Sequence, residues 1–135
     1  MSVAVAAGVR GVRGTVAGVE TPDEVAVRIA RGRVAAAFAS DGELAGAVRG
    51  FTARDSQRDL ALAVFDAIAE RGTLVAEAGT GTGKTFAYLV PALVAGGKVL
   101  ISTGTKALQD QVFAKDLTAV RSALGLAIAV ALLKG

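Results

Sequence analysis

Eight residues constrain this chain more than any others: Ala78-Gly79-Thr80-Gly81-Thr82-Gly83-Lys84-Thr85. They follow the pattern G-x-x-x-x-G-K-[ST], with Ala in the first place. The apolar run Thr73–Glu77 (TLVAE) leads into them, and a helical pattern from about Lys84 to Ala95 leads out. A strand, a tight glycine turn and a helix start, in that order, enclose a polyanion well. Gly79, Gly81 and Gly83 permit backbone angles and a close approach that a Cβ would block. The helix start offers free N–H groups and the positive end of its dipole. Lys84 adds a full charge for the β- and γ-phosphate oxygens, and Thr85 a hydroxyl for the Mg²⁺ that bridges them. The plainer alternative is a glycine-rich strand–helix turn that holds nothing.

The rest of the chain from about Asp55 is regular. Asp55–Arg71 carries Leu60, Val64, Phe65 and Ile68 at helical spacing, with Gly72 as the stop. TLVAE reads as a buried parallel strand. The helix after the loop contains Pro91, a kink position, and ends at Gly96–Gly97. Val99–Thr103 (VLIST) reads as the next strand. Thr105 is the expected N-cap of a helix reaching about Leu117, with Leu108, Val112, Phe113 and Leu117 on one face. Ala127–Leu133 (AIAVALL) reads as a third strand. Helices alternating with strands predict an α/β fold, a parallel sheet with flanking helices.

The first third differs. Residues 1–33 hold five Arg, five Gly, no Lys and no aromatic residue. They read as a variable, low-complexity extension without a fixed tertiary role. Thr21-Pro22-Asp23-Glu24 can open a short helix there, stopping near Gly32.

Composition narrows the chemistry. The 135 residues contain no Cys and no His, which removes thiolate and imidazole metal sites, Cys nucleophiles and Ser-His-Asp triads. Phosphate, carboxylate, lysine and hydroxyl chemistry remain. The net charge of +3 permits a nucleic-acid partner without requiring one. The longest uncharged runs, Thr85–Gly97 and Ser122–Leu133, are shorter than the roughly 18 residues that span a bilayer. Arg10 and Arg13 interrupt the Ala/Val-rich start before a signal-peptide core forms. A cytoplasmic protein without a membrane partner is the expectation.

EAGTGTGKTFAYLVPAL (Glu77–Leu93) followed by VLISTGTKALQDQVFAKDL (Val99–Leu117) resembles the first motor domain of the DinG/XPD-like superfamily 2 DNA helicases, and most of all their bacterial YoaA-type branch. Asp41–Val64 and Val130–Gly135 share the likeness, which covers roughly residues 40–135. The resemblance implies a P-loop NTPase (RecA-like) fold, ATP and Mg²⁺ as cofactors, and ATP hydrolysis coupled to 5′-to-3′ movement on single-stranded DNA. It suggests work at damaged or stalled DNA. By the same likeness Phe51, Arg54 and Gln57 read the adenine. An amide such as Gln57 can pair with an adenine edge; taken without the likeness it is more often a solvated first-turn residue. Ala78–Thr85 matches the Walker A motif. Ser102, Thr103, Thr105 and Gln109 match the motif that contacts the DNA backbone, with Lys106 adding charge. Taken alone, such a segment is more often a helix cap, and Lys106 equally a solvated surface residue.

The match stops short of a whole motor. The family's DExH box would place a carboxylate at the end of a later strand, whereas the acids after the loop are Asp110 and Asp116, both on an expected helix. The cysteines of the family's iron–sulfur cluster and the second motor domain are not in this sequence. The expectation is therefore an incomplete first motor domain: residues 34–135 as the N-terminal part of ATP-binding domain 1, and residues 1–33 as an extension that an over-long reading of the gene would explain. Alternatives are a non-catalytic nucleotide- or single-strand-binding remnant and an unrelated P-loop NTPase such as a small kinase.

Overall fold

The computed structural model describes residues 2–5, 20–79, 81 and 83–134. The elements are β1 (Ser2–Val5), α1 (Pro22–Ala37), α2 (Glu43–Ala47), α3 (Asp55–Ala69), β2 (Leu74–Glu77), α4 (Lys84–Ala95), α5 (Lys106–Gln111), a π-helical turn (Val112–Asp116) and α6 (Leu117–Leu124).

The centre of the molecule is α4. Ala87, Tyr88, Leu89, Val90, Pro91 and Ala92 are consecutive and all buried, so this helix is covered on every side along its middle. Pro91 lies within it. The helix packs most extensively on α3, which presents Gln57, Ala61, Val64, Phe65 and Ile68 at helical spacing. Val34, Ala37 and Phe38 close the core from α1, Leu44 from α2, and Leu117, Val120 and Leu124 from α6.

α1 runs through Gly32 to Ala37, well past the expected stop. Its start is fixed by a capping box: the Thr21 hydroxyl accepts from the Glu24 N–H (3.2 Å) and the Glu24 carboxylate accepts from the Thr21 N–H (2.7 Å). Its far end is held by burial of Val34 and Ala37, and a Cβ on Gly32 would meet nothing within 4 Å. Capping and burial outweigh the roughly 0.5–1 kcal/mol that a mid-helix glycine costs. The segment before residue 34 also makes tertiary contacts. Ala30 packs against the core, and Arg31 donates to both Asp66 oxygens at 2.8 and 3.0 Å.

The expected parallel sheet is not formed among the described residues. β2 pairs antiparallel with β1, in the register Ser2↔Glu77 to Val5↔Leu74. The β2 strand is not buried on both faces, since Val75 is 77% exposed. VLIST (residues 99–103) and AIAVALL (residues 127–133) carry no ladder, and Leu100 and Leu133 are 81% and 77% exposed. β-Branched composition suits a pleated surface, but a strand exists only where a neighbouring edge completes its hydrogen bonds.

The end of α3 holds another departure. Arg71, not Gly72, takes the left-handed conformation (φ +55°), while the Gly72 N–H returns to the Ala67 carbonyl at 2.8 Å. The helix expected from Thr105 to Leu117 instead continues to Leu124, as α5, the π-turn and α6 in succession.

Candidate functional site

The glycine loop sits between β2 and α4, as its flanking sequence predicts. Gly81 and Gly83 both have positive φ, +76° and +74°. Gly83 is the N-cap of α4 and has no side chain with which to cap it, whereas α1 and α5 are capped by Thr21 and Thr105. An uncapped helix start with Lys84 in its first position suits an anion.

Three side chains from outside or beside the loop converge on its carbonyls. Gln57, only 5% exposed on the first turn of α3, donates its amide to the Gly83 carbonyl at 2.9 Å. Arg54, just before α3, donates to the Gly81 carbonyl at 2.9 Å. Lys84 turns its ammonium back to the Ala78 carbonyl. The Gln57 contact also explains Gly83, because a Cβ there would lie 1.9 Å from Gln57 Nε2.

Gln57 is thus neither solvated nor free in this state: it is built into the loop. Phe51 is half-buried and packs against the core, leading the chain towards Arg54. Thr85 opens α4 directly after Lys84, one turn before Tyr88. Ala78 is half-buried and Gly79 exposed at the end of β2. Thr80 and Thr82 lie outside the described residues.

The second group of expected residues lies together elsewhere. Ser102, Thr103, Thr105, Lys106 and Gln109 line a groove of about 480 Å³ between residues 99–106, the start of α5, the π-turn and residues 130–133. The Thr105 hydroxyl accepts from the Leu108 N–H at 3.2 Å, confirming it as a helix cap. Thr103 donates its hydroxyl to the Thr105 carbonyl at 3.2 Å, and Gln109 donates to the Leu133 carbonyl at 2.7 Å. Ser102 and Lys106 are exposed. Hydroxyls, an ammonium and a helix start along one groove form a surface suited to a phosphate backbone.

Sequence reasoning overlooked two polar side chains buried in the core. Tyr88 and Asp116 are 5% and 6% exposed. Burial pushes the Tyr88 phenol above its ordinary range; the Thr85 hydroxyl, as a hydrogen-bond partner, draws it back, and the Asp116 charge pushes it up again. Asp116 accepts from the Gln111 amide at 3.3 Å. Tyr88, the one tyrosine, falls on the same face as Thr85 at i+3, and only that spacing hinted at a role.

The acids after the loop are engaged by other side chains. Asp110 pairs with Lys134 at 2.8 Å, and Asp116 closes the π-turn. Among the described residues no helix is long and apolar enough to cross a membrane.

Several known proteins are similar to this chain. The YoaA ATP-dependent DNA helicase of Escherichia coli (strain K12) is 59% identical over 98 residues, which are 73% of this chain and 15% of the relative. Its Haemophilus influenzae namesake is 53% identical over 103 residues, 76% of this chain and 16% of the relative. The ATP-dependent helicase DinG of Mycobacterium tuberculosis (strain H37Rv) is 45% identical over 78 residues, 55% of this chain and 12% of the relative. The chain therefore spans about an eighth to a sixth of the length of these curated relatives. No solved structure matches it. The DEAD/DEAH box helicase family, whose domain implies a P-loop NTPase fold, matches residues 58–135, from the first turns of α3 through the groove. The chain belongs to the DEAD/DEAH box helicase family.

Proposed function

We propose that this chain is the N-terminal, ATP-binding part of a DNA helicase motor. The carrying observation is the convergence of Lys84, Gln57 and Arg54 on a glycine loop at an uncapped helix start. Residues 78–85 hold the triphosphate. Lys84 leaves the Ala78 carbonyl for the β- and γ-phosphate oxygens, and the Thr85 hydroxyl would hold a magnesium ion, which would supply charge neutralisation on the phosphates. Phe51, Arg54 and Gln57 hold the adenine end. Because Gln57 also grips the Gly83 carbonyl, base recognition and loop shape share one side chain. Ser102, Thr103, Thr105, Lys106 and Gln109 receive single-stranded DNA through its phosphates.

Residues 34–135 form the N-terminal part of ATP-binding domain 1, and residues 1–33 an extension that docks on it through α1. The RecA-like parallel sheet belongs to the longer motor, where residues 74–77, 99–103 and 127–133 gain ladder partners. The exposure of Val75, Leu100 and Leu133 supports this. Movement in the 5′-to-3′ sense and work on damaged DNA in the cytoplasm are the activities we infer for such a motor. An iron–sulfur cluster does not fit the residues present, since the chain contains no Cys.

The test is direct. ATP with magnesium raises the thermal midpoint of the chain, and Lys84→Ala abolishes the shift. An oligo(dT) probe binds, and Lys106→Ala weakens it. Turnover stays at the level of the Lys84→Ala control, because Asp110 is engaged by Lys134 and Asp116 by Gln111. Failure of ATP to protect the wild-type chain, or steady phosphate release from it, would overturn the proposal.

A further inference from the structure

One wall of the groove is only lightly attached. Residues 127–134 lie outside any helix or ladder, and among the described residues they make no backbone–backbone hydrogen bond. A segment with so few bonds opens at little cost. Val130, Ala131, Leu132 and Leu133 nevertheless line the groove together with Ser102, Thr103 and Lys106. Two side chains of α5 fasten the end of this segment. Gln109 donates its amide to the Leu133 carbonyl at 2.7 Å, and Asp110 pairs with Lys134 at 2.8 Å. Asp110 and Lys134 are 54% and 55% exposed, and an ion pair so exposed contributes little net stability and is screened by salt. The other half of the fastening uses a donor that the groove itself needs. Gln109 lines the groove, and its amide carries two N–H donors. One of them is committed to Leu133, so a phosphate oxygen that takes the amide in full has to displace the segment.

We propose that residues 130–134 are a strap, latched on α5 by Gln109 and Asp110, that keeps a phosphate-bearing single strand out of the groove until the latch opens. This rests on the reading of the groove given above. While the strap is closed, the Leu133 carbonyl holds the Gln109 amide and Lys134 is drawn to Asp110. When it opens, both contacts part, the wall formed by residues 130–133 swings aside, and the amide turns to the strand. The strap and the strand thus compete for one donor, which makes the closed strap an autoinhibitory contact. The apparent affinity is the intrinsic affinity reduced by the open fraction.

The experiment measures oligo(dT) binding to the 135-residue chain by fluorescence anisotropy. Asp110→Asn combined with Lys134→Met removes the ion pair and leaves the net charge at +3, so a plain charge effect on a polyanion is excluded. This double variant should bind about two- to five-fold tighter than the wild type. In a second arm, Asp110→Cys and Lys134→Cys supply the only thiols of a chain that has no Cys, and a bismaleimide with a disulfide in its spacer joins them. The cross-linked chain should lose oligo(dT) binding, and reduction of the spacer should restore it. Both positions are exposed, so neither pair of changes enters the core, and circular dichroism checks the fold. Weaker or unchanged binding by the Asp110→Asn, Lys134→Met chain overturns the inference, since Lys134 would then touch the strand itself or the latch would carry no weight. Full binding by the cross-linked chain overturns it as well. If neither the wild type nor the double variant binds, the reading of the groove falls and this inference with it; binding by the double variant alone upholds both.

Discussion

Replacing Gly83 with alanine tests the geometry of the loop more sharply than removing Lys84. Two separate costs arise. The backbone there has φ +74°, and the left-handed region costs an L-residue about 1–2 kcal/mol. The new methyl would also stand 1.9 Å from Gln57 Nε2. The amide end can swing away, but only by giving up its 2.9 Å bond to the Gly83 carbonyl inside a site where Gln57 is 5% exposed. A buried polar group left without its partner costs about 1–3 kcal/mol. The expected loss is therefore about 2–5 kcal/mol in the wild-type background. In a Gln57→Ala background the second cost vanishes, and Gly83→Ala should cost only about 1–2 kcal/mol. Urea unfolding of the four proteins, followed by circular dichroism, measures the difference as a double-mutant cycle. Equal costs in the two backgrounds would refute the reasoning, since they would mean that the amide does not occupy the space beside Gly83.

Other expectations follow from the same contacts. Arg71→Gly should stabilise the chain by about 0.5–1 kcal/mol, because glycine adopts the left-handed end of α3 without strain; unfolding midpoints check this. Thr105→Ala should cost about 1 kcal/mol through loss of the α5 cap; if the groove is the DNA site, the same change lowers oligo(dT) affinity by anisotropy. The raised folded pKa of Tyr88 means that its contribution is fully present below the ordinary phenol range and is lost as pH rises through the folded value. Stability should therefore fall on the alkaline side, and Tyr88→Phe should flatten that fall. Phenolate absorbance of the single tyrosine follows the titration, and a transition at an ordinary phenol pKa would contradict it.

The features legible in the sequence were the local ones. The loop from Ala78 to Thr85 is a contiguous pattern, and its chemistry follows from residue type and order. Thr21 and Thr105 announce helix starts because a cap needs only a hydroxyl and the next three residues. α3 and α4 followed from apolar spacing. What resisted were the contacts between distant parts of the chain. Nothing in Leu74–Glu77 says that its partner will be Ser2–Val5, and runs such as VLIST resemble strands whether or not an edge is available to them. Gly32 looked like a stop because the burial of Val34 and Ala37 beyond it depends on α3 and α4, which local sequence does not display. For the candidate site, the sequence assigned Gln57 to a base edge or to solvent. Its grip on Gly83 is a contact across 26 residues, and only the fold brings the two together.

The enclosure of the middle of α4 has a mechanical consequence. A helix packed against one neighbour can tilt or slide when something pulls at its tip; this one is wedged among α1, α3 and α6 and has nowhere to go. Whatever docks at Lys84 therefore pushes on an anvil, and the yielding must happen at the periphery. The helix behind the tip is fixed by the interior, so the force of a docking ligand passes outward to the loosely moored parts of the chain.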